Sequence, residues 1–140
     1  MTTTFRADLV AGMTTMMQAF IAANPTVIRR HFRVRPMSQT TDLPCSYLDL
    51  RPETVTHDSG LRIRTMNPSV VVVFGLTENA ETIDAMDAAV DLLMDHLTSY
   101  PHIIAGSWWS SLTVSEEAAE DGNIAVRFTF DALSFGEGRN

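Results

Sequence analysis

Apolar residues at Phe5, Leu9, Met13, Met16, Met17, Phe20 and Ile21 recur in steps of three and four, placing them on one face of a helix over residues 5–23. Thr4 reads as its N-cap, Asp8 suits the positive first turn, and Asn24-Pro25 stops it. From Thr26 to Arg35 the period drops to two. Ile28, Arg30, Phe32 and Val34 alternate with Val27, Arg29, His31, Arg33 and Arg35, which predicts a strand with one cationic face, ended by Pro36. A polar loop over residues 36–44 and a short strand from Cys45 to Leu50 follow. Thr54–Thr56 and Leu61–Met66 flank His57-Asp58-Ser59-Gly60, a quartet that tolerates left-handed backbone, so this stretch reads as a hairpin.

Asn67-Pro68 punctuates the chain, and the apolar run from Ser69 to Leu76 predicts a strand buried on both faces at the centre of the sheet. A second helix is expected over residues 79–99, burying Ile83, Met86, Val90, Leu93, Met94 and Leu97 and closed by Tyr100-Pro101. Trp108–Val114 and Ile124–Leu133 read as the last two strands, joined as a hairpin by an acidic link containing Asp121-Gly122. The tail from Phe135, residues 136–140 above all, reads as frayed. The expected fold is α+β: a largely antiparallel sheet of about six strands, with two amphipathic helices packed on one face.

Length adds one constraint: 140 residues make a single domain over residues 1–140. The longest apolar run, Val70–Phe74, has strand length and is far short of the roughly 20 residues of a membrane span. Polar residues interrupt the N-terminal helix too often for a signal peptide, which reads as a mature cytoplasmic start.

Charge changes the picture more. All ten basic residues are arginine, in keeping with coding bias in a GC-rich genome. Residues 1–66 hold eight arginines against five acids, and residues 67–140 hold two against twelve, so the halves carry +3 and −10 of the formal −7. The asymmetry resolves into Arg29, Arg33 and Arg35 on the cationic strand and an acidic stripe, Glu78, Glu81, Asp84, Asp87, Asp91 and Asp95, beside the buried face of the second helix. Asp87, Asp91 and Asp95 are successive i,i+4 like-charge neighbours, each pair costing about 0.2–0.5 kcal/mol in an isolated helix. The bland reading is a solvated face. The functional one is a wall that repels polyanions or a contact with a cationic surface, within the chain or on a neighbouring subunit. Contacts between two unlike surfaces are head-to-tail and generate rings. Trp108 and Trp109 must point to opposite faces of their strand; one enters the core, and Trp109 is assigned to the interface.

Catalytic chemistry finds little support. Cys45 is the sole cysteine, without a neighbouring histidine or glycine elbow, and reads as a small apolar residue. There is no Gly-rich phosphate loop. His31, His57, His96 and His102 lack metal-ligand spacing, although His96 with Asp95 and Asp91 would be the nearest approach to a site. No catalytic residue, metal or cofactor is expected.

The order of elements resembles the tail terminator (tail-completion) proteins of long-tailed, non-contractile bacteriophages. The features that carry it are an N-terminal helix, an Arg-rich strand ending in Pro36, a two-proline loop, a hairpin leading into Ser69–Leu76, an acidic amphipathic helix and a tryptophan-containing C-terminal hairpin. The resemblance implies a structural virion protein: a homo-oligomeric ring, usually a hexamer, at the head-proximal end of the tail. Such a ring ends polymerisation of the major tail tube protein and meets the head-completion proteins, while genomic DNA passes through unbound. Two other readings stay open: a head–tail connector or neck protein, and a small nucleic-acid-binding module using Arg29–Arg35. The acidic excess opposes the second.

Overall fold

The computed structural model describes residues 5–36, 43–50, 53–75, 80–119 and 122–138. Over these residues it is an α+β fold of two helices and nine strands in two sheets. Helix α1 (Phe5–Ala23) has the expected bounds, and six of the seven residues its periodicity selects, Phe5, Leu9, Met13, Met16, Met17 and Phe20, are buried, while Ile21 is half-buried. The expected N-cap, Thr4, lies outside the described residues, as do Leu76 and Glu78.

Sheet A has the order β1 (Arg30–Phe32), β2 (Cys45–Asp49), β5 (Ser69–Phe74), β8 (Ile124–Asp131), β7 (Ser111–Ala118). Only β1 and β2 are parallel. The apolar run of β5 occupies the middle, as its composition predicts. Val70, Val72 and Phe74 face one way with Leu48, Val126, Phe128 and Phe130, in one core with α1 and with α2 (Ala80–Thr98). Val71 faces the other way, in a smaller cluster with Tyr47, Ala125, Phe32 and Val73. Both helices therefore lie on one face of sheet A.

Sheet B has the order β3 (Thr54–Asp58), β4 (Leu61–Met66), β9 (Leu133–Gly138), β6 (Ser107–Trp108). Three of its strands continue strands of sheet A across one corner: β4 into β5, β8 into β9, and β6 into β7. The sheet of about six strands expected from sequence is thus two sheets, and the runs expected at 108–114 and 124–133 are each broken where they turn the corner. At the bend Ala132 takes a left-handed φ of 53° and its N–H donates to Asn67 Oδ1 (2.8 Å), while Ser110 N–H donates to Asp131 O (3.0 Å). Corners of this kind let a chain contribute to two sheets without losing its ladder. The tail expected to fray is strand to Gly138, with Gly136 opposite Ile63 and Glu137 opposite Arg62.

The cationic strand is also shorter than its alternation suggests. Only Arg30, His31 and Phe32 are in β1; Arg29, Arg33 and Arg35 flank it, all exposed. His31 leaves the cationic set and turns towards Ser46, its Nδ1 2.7 Å from Ser46 Oγ, while its Nε2 is buried without a hydrogen-bond partner. Burial holds the imidazole below its ordinary pKa, because protonation would add a second N–H with nothing to accept it. The unfolded chain then binds the proton first, so stability is complete above about pH 6.5 and is lost as pH falls through the lowered native value. Urea titrations between pH 7.5 and 5.5 should show this loss, and His31→Gln should flatten it relative to the parent. An equal pH slope in both proteins would remove His31 as the cause.

Candidate interaction surfaces

On α2 the buried residues are Met86, Ala89, Leu93 and Leu97, a narrower set than the sequence pattern offers. At 100° per residue Ile83 and Met94 sit at one margin of that stripe and Leu92 at the other. All three are exposed, at 45%, 37% and 45%, which corrects the expectation that Ile83 and Met94 are buried. Between these margins lies the acidic face: Glu81, Asp84, Asp87, Asp91 and Asp95 are all exposed. Asp84, Asp87, Asp91 and Asp95 have no ion-pair partner among the described residues. Among the described residues, then, none of these four aspartates pairs with a cation of the same chain.

Beside Leu92 an apolar groove of about 360 Å³ runs between α2 and the end of sheet A, lined by Val27, Pro44, Phe74, Ala85, Ala89 and Leu92 among others. The solvent side of α2 is thus acidic along its crest and apolar along both flanks. That combination suits a protein contact better than a fully solvated face.

The arginines gather elsewhere. Because β1 is an edge strand, Arg29, Arg33 and Arg35 bracket one rim of sheet A. Arg30 packs over Phe32, with 4.7 Å to the ring centroid. Val34, between Arg33 and Arg35, is 60% exposed. Burial pushes the Tyr47 phenol up in pKa, opposed by the Arg35 and Arg127 cations.

Other charged groups are occupied structurally. Arg127 donates to Asp49 (2.7 Å) and Glu117 (3.1 Å) across the open face of sheet A. Glu53 accepts from both Arg64 and Arg6, and Arg64 lies 4.8 Å over the Phe5 ring, which stacks on Phe135. The Arg64 hydrogen bonds are the main reason the Glu53 carboxyl titrates below the usual carboxylate range.

Trp109, assigned to the interface from sequence, is the ring that turns inward. It packs edge-on against Phe130 at 5.1 Å and its Nε1–H donates to Tyr100 O (2.8 Å), whereas Trp108 is 46% exposed. The alternation rule requires opposite faces but cannot say which ring is inside; the corner between β6 and β7 decides it.

His96, the nearest sequence candidate for a metal ligand, is consumed by packing. Its Nε2–H donates to Met16 O (2.8 Å) and its ring contacts Phe20 and Tyr100 edge-on, tying α2 to α1. Among the described residues no three His, Cys, Asp or Glu side chains form a metal-binding group. Cys45 is fully buried. The His31–Ser46 pair has the spacing of a base and a nucleophile, yet Ser46 is wholly buried on the helix side of sheet A, out of reach of a substrate. No described helix is long and apolar enough to cross a membrane. No family model matches the chain, and no curated protein matches it.

Proposed function

We propose that this chain is a ring-forming tail terminator of a long-tailed bacteriophage, capping the tail tube, ending its polymerisation and offering the head-completion proteins a docking surface. The observation that supports this reading best is the pair of unlike surfaces on one subunit: the aspartate crest of α2 with its apolar flanks, and the arginine rim around β1. Each is incomplete alone and each is complementary to the other. A head-to-tail contact between them repeats around an axis and closes into a ring. An acidic surface left over inside such a ring would let DNA pass, since phosphate contacts otherwise dominate affinity.

A charge exchange tests the contact. Asp87→Arg with Asp91→Arg, and separately Arg29→Asp with Arg33→Asp, should each abolish ring formation, read as mass by light scattering and as shape by electron microscopy. An equimolar mixture should restore an even-numbered ring, because each variant then meets a complementary neighbour. Unimpaired rings from either variant alone would show that these surfaces do not form the contact. Copurification with tail tubes supports the terminator, and copurification with filled heads instead would favour a connector.

A further inference from the structure

Of the strands in sheet A, β1 is the least secured. It is three residues long, lies at an edge, and pairs in parallel with β2 in the register Arg30 with Cys45, His31 with Ser46 and Phe32 with Tyr47. Parallel pairing is slightly weaker per residue than antiparallel. Arg29 N–H donates to Pro44 O (2.8 Å), and a parallel ladder bonds every second residue, so His31 N–H points to β2 as well. Apolar anchoring is confined to the ends: Ile28, fully buried, precedes the strand, and Phe32, half-buried beside Tyr47, closes it.

His31 is the polar group at the centre of this weak strand. Its Nδ1 is 2.7 Å from the wholly buried Ser46 Oγ, and its Nε2 is buried with no hydrogen-bond partner. The neutral ring leaves one nitrogen unmet. The protonated ring puts an N–H and a share of positive charge at that same nitrogen, where nothing accepts it. The surroundings do not offset the charge. On β2 the Cys45 thiol, the Tyr47 phenol and Asp49 sit on the opposite face, and Asp49 is held by Arg127. Helix α1, which contacts β1, has Arg6 and Asp8 as its only charged residues, both in its first turn. On α2 the inward-turned titratable group is His96, which donates to Met16 O. Every charge on β1 and its flanks, Arg29, Arg30, Arg33 and Arg35, is positive and opposes another.

We propose that β1 is an acid-released edge strand: protonation of His31 undocks residues 29–33 from β2 and carries the Arg29 and Arg33 side chains away with them. Because those arginines are the cationic half of the proposed ring contact, the same protonation disassembles the ring, a consequence that rests on the ring reading. Histidine protonation between pH 5 and 6 switches interfaces by this route. Ile28 stays in the core and sets the N-terminal limit of the moving segment.

Amide exchange followed by NMR on the parent chain, at rising sub-denaturing urea, tests the release. Local opening exposes little surface and is insensitive to urea, whereas global unfolding steepens with it. The Arg29 and His31 amides should exchange by a urea-insensitive route, faster than those of β5 and β8. Corrected for the intrinsic pH dependence of exchange, that route should quicken up to about tenfold from pH 7.5 to 5.5, because the undocked His31 titrates at about 6.5. His31→Gln, which does not titrate, should abolish the pH response; if it fails to fold, the parent decides alone, since both signatures are read on it. Exchange of the Arg29 and His31 amides only by the urea-sensitive route of β5 would overturn the release. So would a urea-insensitive route that ignores pH, or a pH response that survives in folded His31→Gln. Light scattering reads the consequence separately: parent rings should dissociate at pH 5.5, and His31→Gln rings should persist. Parent rings intact at pH 5.5 despite strand release would overturn the disassembly alone. A parent that never assembles at either pH removes the ring reading, while the exchange data still decide the release.

Discussion

Truncating Phe128 to alanine is expected to lower the unfolding free energy by about 3–5 kcal/mol, a large share of what a domain of this size has. Phe128 is fully buried on β8, between Val70 of β5 and Val114 of β7, and faces the helices. It is held from both sides by ladders and from above by side chains of α1 and α2, so the vacated volume has no easy route to collapse. Urea denaturation measures the loss. Val55→Ala, on the exposed β3, serves as the comparison and should stay within about 0.5 kcal/mol. A Phe128→Ala loss below about 1 kcal/mol would mean that the core is loosely packed there.

The second large effect runs against helix propensity. Gly12 sits in the middle of α1, where glycine costs about 1 kcal/mol relative to alanine, so Gly12→Ala ought to stabilise. In the folded chain a Cβ on Gly12 would lie 2.8 Å from the backbone oxygen of Ile103, and 3.1 and 3.2 Å from methyl carbons of Ile104 and Ile103. The close neighbour is backbone and cannot swing away. The expected outcome is therefore a net loss on the order of 1–3 kcal/mol, the usual cost of overpacking. A Gly12→Ala protein with a higher urea midpoint than the parent would show that the 103–104 segment yields freely.

The two helices were legible because each has one strong period and definite stop signals. So was β5, whose run of valines fits only a doubly buried strand. The β3–β4 hairpin followed from Ser59-Gly60. Errors gathered where a long-range event interrupts a local pattern. The corner breaks two runs that alternate well, and its trigger is a left-handed alanine with no local signature. Its partner signal was present in Asn67, but only the fold shows that the Asn67 side chain serves Ala132, 65 residues away.

The candidate surfaces divide in the same way. The aspartates at i,i+4 spacing had to share one helix face, and the arginines clustered in sequence. That Trp109 is the inner ring, that His31 turns in to Ser46, and that β3 and β7 are open edges depended on strand order.

What the sequence by itself determined here is what short-range periodicity and charge can specify: two amphipathic helices, a central strand, an acidic crest and an arginine cluster. Tertiary structure alone decided that both margins of α2 stay uncovered, that His31 turns in to Ser46, and which backbone edges are left unpaired. The physical reason is that each of these is a competition for partners between segments far apart in the chain. Hydrophobic burial is non-directional, so a sequence pattern states what seeks cover without stating what provides it.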